Sequence, residues 1–210
     1  MSRPAKRVCV LVSGGLDSSV LVADMLQQGY EVYPFYVRSG FYWEKVEMIW
    51  LKRLLKTLRC ARLKPLTVAD SPASGILLRH WSLDGKGVPS AKAAWNSVYL
   101  PGRNLLLLGQ AGLFCSLRGI PLLAQGLLKG NPFGDATPRF RWAMQRAINT
   151  GLDKRIKLAA PYAALSKFQV LKRIEGFPVD LTFSCLKPRG LRHCGACSKC
   201  EERERCLTKA

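Results

Sequence analysis

The chain has 210 residues, with 33 Lys and Arg against 14 Asp and Glu, a formal charge of +19, and 48% of its residues are hydrophobic. That length suits one domain with a small appendage, and the apolar fraction excludes a disordered basic tail. No apolar run reaches the ~20 residues of a bilayer-spanning helix, since the longest, 105–117, is broken by Gln110, Gly112 and Ser116.

The chain opens with Arg3, Lys6 and Arg7 around a short apolar, β-branched run at 7–12. The run is too brief for a secretory signal, so a cytoplasmic protein without a membrane anchor is expected. It reads as a buried strand entering the turn Ser13-Gly14-Gly15. A helix follows, capped by Asp17 or Ser18, with Val20, Leu21, Met25 and Leu26 at helical spacing and Gly29 as its stop. A second strand is expected at 31–37, then a helix at 44–58 with Val46, Ile49, Trp50, Leu54 and Leu58 facing inward, and a third strand at 65–68. The stretch 70–100 has no firm period and reads as loops with a short helix at 91–95. After Pro101-Gly102 come a buried helix at 104–117, a strand at 120–125, a turn-rich loop at 131–135, a helix at 139–148 and a strand at 155–160. A last helix at 166–175 starts on Ser166 and stops at Gly176; from Phe183 onward the pattern gives way to cysteines and charges. Strands alternating with helices imply an α/β fold, a doubly wound, mainly parallel sheet with helices on both faces.

Ser13-Gly14-Gly15-Leu16-Asp17-Ser18 falls where open parallel sheets place ligands, past the carboxyl end of a strand and at a helix N-terminus. Adjacent glycines let the backbone approach an anion, the helix start offers unpaired N–H groups, and the serines add hydroxyls. The pattern is neither G-x-x-x-x-G-K nor G-x-G-x-x-G. It resembles the S-G-G-x-D-S motif of the PP-loop ATP pyrophosphatases, which activate a carbonyl-type oxygen by adenylation. The resemblance implies that Ser13, Gly14, Gly15, Leu16, Ser18 and Ser19 cradle ATP phosphates and that Asp17 sits near Mg²⁺ or the pyrophosphate.

Cys185, Cys194, Cys197 and Cys200 give C-x8-C-x2-C-x2-C, a spacing suited to a tetrahedral Zn²⁺ site; an iron–sulfur cluster is the other metal reading. Four protein ligands leave no open position, so the metal would be a structural clasp. Cys206 and His193 are spare ligand candidates, and Cys9, Cys60 and Cys115 read as small core residues. The chain thus divides into an ATP-binding α/β domain at 1–182 and a zinc-binding tail at 183–210 packed on it.

With Pro101-Gly102-Arg103-Asn104, Leu165-Ser166-Lys167 and Ser184-Cys185, these motifs resemble the 7-cyano-7-deazaguanine synthase family over 8–200. The resemblance implies an ATP-dependent ligase of queuosine precursor synthesis, which converts 7-carboxy-7-deazaguanine and ammonia to the nitrile by way of the amide. It gives Asp17, Arg103 and Lys167 catalytic roles, the two cations pairing with phosphates or with charge on the adenylated intermediate. Asn104 is then a nucleotide contact or a helix cap, and Asp135 an acid near the substrate or a turn former. Two segments depart from the family pattern: 36–44 replaces a Gly-Gln-Arg-His element, and 133–139 replaces Tyr-Pro-Asp-Cys-Arg. Both are expected to line the acceptor pocket, with Phe41, Tyr42 and Trp43 either stacking on a purine or packing inside.

The first fifty residues balance five bases with five acids, so the positive excess lies in the remainder, spread without a block of like charges. A charge beyond what a small-molecule ligase needs keeps a tRNA base open as an alternative acceptor; the lack of an added RNA-binding domain weighs against it. A non-catalytic, zinc-clasped nucleotide-binding module is the third reading. Self-association into a homo-oligomer is left open.

Overall fold

In a computed structural model, which describes residues 6–208, the first apolar run forms β1 (Arg7–Leu11). In chain order there follow α1 (Leu16–Gln27), β2 (Glu31–Arg38), α2 (Glu44–Thr57), β3 (Thr67–Asp70), α3 (Ser74–Leu77) and α4 (Trp81–Asp84). Next come α5 (Arg103–Arg118), β4 (Leu122–Ala124), α6 (Pro138–Leu152), β5 (Lys157–Ala159), α7 (Lys167–Leu171) and α8 (Ser198–Leu207). The strands make one sheet in the order β3-β2-β1-β4-β5, every pair parallel.

The side chains of β1 alternate between two cores, and this is why its sequence is apolar throughout. Val8 and Val10 pack with Leu21, Met25, Leu51 and Leu54 of α1 and α2 and with Val170 of α7. Cys9 and Leu11 pack with Leu108, Ala111 and Cys115 of α5 and Ile148 of α6. A third cluster joins Phe41, Trp43, Ala73 and Leu100 to Phe183, Cys185, Leu186, Cys197 and Cys200.

Several expectations need correction. Gly15 occupies the N-cap of α1, placing Asp17 and Ser18 inside the first turn. The buried face of α2 is Glu44, Glu47, Leu51 and Leu54, while Ile49 is exposed. α5 is amphipathic rather than buried, since Leu105, Leu113 and Leu117 lie on the surface. The segment 70–100 holds α3, α4 and a 3₁₀ turn at Trp95–Val98, and α7 ends four residues short of Glu175. Cys60 is exposed after α2, whereas Cys9 and Cys115 are core residues as expected. The polar tail forms α8, which was not expected; it sends Cys206 into the first core, with Leu207 packed against that core. Among the described residues no helix is long and apolar enough to cross a membrane.

One polar group inside the first core ties α1 to the chain beyond β5. Asp24 accepts from Tyr162 Oη at 2.9 Å, from Arg173 Nε at 2.6 Å and from Gln28 Nε2 at 2.9 Å. Burial pushes its pKa up, and the Arg173, Gln28 and Tyr162 hydrogen bonds more than reverse this, leaving it below the usual aspartate value. A depressed carboxylate stabilises the fold above its unfolded pKa, and that contribution drains away as pH falls through the folded value. Asp24→Asn is expected to cost about 2 kcal/mol at neutral pH, below the figure for a sealed pair because water screens the half-exposed guanidinium. Denaturant titration at neutral and acid pH checks this; the difference between variant and wild type should shrink in acid.

Candidate active site

The loop after β1 closes on itself through its hydroxyls. Ser18 Oγ accepts from the Ser13 amide at 3.2 Å, donates to the Gly15 carbonyl at 3.3 Å and lies 3.3 Å from Ser13 Oγ. Gly14 has φ +70°, a left-handed conformation, and a Cβ there would lie 3.2 Å from the Glu47 carbonyl and 3.3 Å from Leu51. Only glycine meets both demands. The Ser19 amide bonds the Gly15 carbonyl, which leaves the amides of Leu16, Asp17 and Ser18 as the open end of α1. Leu16 and Ser19 turn their side chains into the protein, which leaves Leu16 only its backbone amide to offer and takes the Ser19 amide into the helix.

This loop borders a cavity of about 270 Å³ between β1 and β4, the point where strand order reverses and open sheets bind ligands. Its walls include Ser13, Gly15, Asp17 and Ser18 from the loop, Tyr36 from β2, Tyr99, Arg103 and Asn104 before and within α5, and Gln125, Phe133 and Asp135 beyond β4. Three buried polar atoms here lack partners: Asp17 Oδ1, Arg103 Nε and Gln125 Nε2. A buried acceptor and two buried donors left open cost stability unless a ligand, an ion or water satisfies them, so the cavity can take a polar guest. A divalent cation fits the free Asp17 oxygen.

Lys167 reaches this loop because Ser166 and Gln169 make a reciprocal capping box that starts α7 beside α1. Its Nζ lies 3.4 Å from Asp17 Oδ2 and 2.6 Å from Glu202 Oε1 of α8. Burial raises the Asp17 pKa against the pull of Lys167. Burial also presses the Lys167 pKa down, but Asp17 and Glu202 more than compensate and hold it charged. Asp17 and Lys167 are therefore neighbours, whereas Arg103 stands on another wall with its guanidinium 5.5 Å over the Phe41 ring.

Beneath Arg103 lies an acidic pair. Glu44 accepts from the Ser39 and Gly40 amides at 2.7 and 2.8 Å, and Tyr36 Oη donates to Glu47 Oε1 at 2.7 Å. Burial pushes the Glu47 pKa up to about 8, so that carboxyl keeps its proton at neutral pH. Asp135 is buried and its Oδ2 accepts from the Asn104 amide at 3.0 Å, so the acid caps α5 as well as lining the cavity. Of the aromatic trio, Phe41 and Trp43 are interior packing, stacked at 5.0 Å, and Tyr42 is exposed. The aromatic pair at the cavity is instead Tyr99 and Phe133, stacked at 4.8 Å.

Gly126 is a further site residue that sequence reasoning missed. A Cβ there would come within 3.0 Å of the Asp17 carbonyl carbon and the Ser18 amide nitrogen. Both are backbone atoms, so an added methyl displaces the loop. Gly126→Ala is expected to weaken ATP binding at least about tenfold, a loss of positioning rather than of contacts. Titration calorimetry with ATP and Mg²⁺ checks this; unchanged affinity contradicts it.

The four cysteine sulfurs of Cys185, Cys194, Cys197 and Cys200 lie within 4.8 Å of one another. Cys194 and Cys200 Sγ are 3.8 Å apart, close to the ~3.8 Å edge of a tetrahedron with metal–sulfur bonds of about 2.3 Å. The cluster can hold one four-coordinate ion. Amides of Cys194 and Ala196 already point at the Cys185 and Cys194 sulfurs, as second partners of thiolates do. The spare candidates stand outside the cluster, His193 Nε2 accepting from the Ser184 amide and Cys206 lying in the first core. The tail also grips the loop directly, for the Phe183 amide donates to the Gly14 carbonyl at 2.8 Å.

Comparison with known proteins agrees with this arrangement. The family model described as "Queuosine biosynthesis protein QueC" matches residues 7–210. "7-cyano-7-deazaguanine synthase 1" of Desulfitobacterium hafniense is 30% identical over 206 residues, covering 96% of this chain and 91% of the relative. "7-cyano-7-deazaguanine synthase" of Caldicellulosiruptor saccharolyticus is 32% identical over 208 residues, covering 94% and 88%. Among solved structures, a 4-thiouridine synthetase–RNA complex with bound ATP superposes with a TM-score of 0.54 at 16% identity, over 97% of this chain and 50% of its own length. That likeness shows the PP-loop fold alone. A matched family model over nearly all the described residues, relatives of one name along nine-tenths of the chain, and the loop and cysteines in place together show that the chain belongs to the QueC family of 7-cyano-7-deazaguanine synthases.

Proposed function

We propose that this chain is an ATP-dependent ligase that converts 7-carboxy-7-deazaguanine and ammonia to 7-cyano-7-deazaguanine in the cytoplasm. The observation that carries the reading is the cavity at the strand switch point, where Asp17 Oδ1, Arg103 Nε and Gln125 Nε2 await a ligand beside the glycine loop. A carboxylate resists ammonia because it is anionic. Attack of its oxygen on the α-phosphorus of ATP releases pyrophosphate and gives an acyl adenylate, from which ammonia expels AMP to form the amide. The amide oxygen attacks a second ATP in the same way, releasing pyrophosphate, and loss of AMP and of both N–H protons leaves the nitrile.

In this scheme the Ser13, Gly14, Gly15, Leu16, Ser18 and Ser19 segment holds the phosphates through amides and hydroxyls, at the positive end of α1. Arg103 and Lys167 offset charge that builds on the phosphorus and the departing pyrophosphate. Asp17 holds Mg²⁺, which supplies charge neutralisation on the phosphates. Tyr99 and Phe133 offer a ring face to a purine-like acceptor. Cys185, Cys194, Cys197 and Cys200 hold structural Zn²⁺, making 183–210 a clasped tail on the 1–182 domain.

Supplying each acceptor separately tests the reading. AMP and pyrophosphate are expected with 7-carboxy-7-deazaguanine and ammonia in the absence of RNA. ATP turnover only in the presence of tRNA replaces the small molecule by a tRNA base, and ATP binding with no turnover on any acceptor leaves a binding module.

A further inference from the structure

We infer that Glu202 is a positioning residue of the ATP site, through which the cysteine-bearing helix α8 fixes two cations, Lys167 and Lys199, at the loop around Asp17. The inference rests on reading that loop as an ATP site.

The geometry is a fork. Glu202 offers one oxygen to each lysine, Oε1 to Lys167 Nζ at 2.6 Å and Oε2 to Lys199 Nζ at 2.7 Å. Lys167 continues to Asp17 at 3.4 Å, while Lys199 lines the loop cavity directly. All three side chains line a second cavity of about 550 Å³, and Lys199 borders both spaces. All three side chains are partly buried, with 17%, 30% and 21% of the Lys167, Lys199 and Glu202 side chains exposed.

A lysine side chain has four rotatable bonds, and an ammonium that meets its anion only when the anion arrives must be ordered at that moment. Glu202 orders both ammonium groups beforehand and neutralises their mutual repulsion. The placement of Glu202 follows from the tail: Cys197 is the N-cap of α8, Cys200 lies in its first turn, and Lys199 and Glu202 alternate with these cysteines along the same turn and a half. Residues 89–91 pair with 196–198 through the Ala91 amide to the Ala196 carbonyl and the Ser198 amide to the Pro89 carbonyl, which fixes where that turn sits. The sequence gives no sign of this, since Lys199 and Glu202 read as solvated charges between cysteines.

Charge alone and positioning predict opposite signs for Glu202→Gln. Removing a carboxylate makes the cavity more positive and, by charge alone, tightens an anion; loss of positioning weakens it. Titration calorimetry with ATP and Mg²⁺ on the full chain is expected to show about tenfold weaker binding for E202Q, and a smaller loss of the same sign for E202D, which keeps the charge but shortens the reach. In a background lacking both lysines, K167A with K199A, the E202Q change is expected to add less than about twofold, because both residues it positions are gone. Metal content and melting midpoint are measured on every variant, and E202D supplies the test if E202Q does not fold. Equal or tighter ATP binding by E202Q, or full additivity with the K167A/K199A pair, overturns the inference. Wild-type protein that does not bind ATP at all overturns the functional reading instead.

Discussion

Asp17→Asn is expected to lower ATP-dependent turnover by about 10²–10³-fold while the melting midpoint stays unchanged or rises. The two parts follow from one feature. Asp17 lies at the open end of α1 with Oδ1 buried and without a partner, and burial raises its pKa, so keeping it ionised opposes folding. An amide of the same shape removes that penalty. Lys167 is not stranded by the change, since Glu202 still holds it at 2.6 Å. The function of the carboxylate goes with its charge, because an amide is a poor ligand for a hard divalent cation. Steady-state kinetics alongside thermal melts check both parts. A variant that is inactive only because it is unstable contradicts the account, as does one that keeps its activity.

Removing metal from the cysteine cluster is expected to cost at least about 3 kcal/mol, a fall of roughly 6–12 °C in melting midpoint for a chain of this size. The loss stays below the full binding energy of a structural ion because other contacts hold the tail. The Phe183 amide bonds the Gly14 carbonyl, Trp50 Nε1 donates to the Leu191 carbonyl at 2.8 Å, and Arg203 bonds Thr182 Oγ1 and the Val179 carbonyl. Cys197→Ser is expected to act like the chelator, and one zinc per chain with no visible colour is the expected metal analysis. ATP affinity should fall together with the midpoint, since α8 carries Lys199 to the cavity wall. A brown iron chromophore, or a midpoint that ignores complete metal removal, contradicts the zinc clasp.

What could be read in the sequence was local. β1, the glycine loop and α1 are contiguous, so burial pattern, turn chemistry and motif fall on one stretch of 7–27. The four cysteines likewise announce themselves by spacing within sixteen residues of one another. Hydrophobic periodicity failed where polar residues are buried and hydrogen-bonded: Glu44 and Glu47 take the inward face of α2, and Ile49 is turned out. It failed again at α8, whose ten residues bury only Cys200 and Cys206. The remaining misses were matters of distance along the chain. Gly126 is a glycine because Asp17 and Ser18 pass within 3.0 Å of where its Cβ would lie, and Tyr99 meets Phe133 only once the loop beyond β4 is folded back. No pattern in one sequence records such contacts.

The departures at 36–44 and 133–139 divide in the structure. Tyr36, Phe133 and Asp135 line the cavity, whereas Phe41 and Trp43 have been absorbed into the third core cluster. The altered residues therefore line the same cavity as the glycine loop, whose own motif is kept. Identity of the acceptor is thus the claim on which the whole reading turns. Incubation of purified protein with ATP, Mg²⁺, ¹⁵N-ammonia and 7-carboxy-7-deazaguanine, followed by mass analysis, tests it most directly. The account predicts 7-cyano-7-deazaguanine carrying the label, with AMP formed in twofold excess over nitrile. Label found only in the amide, or no labelled product while ATP is bound, contradicts it.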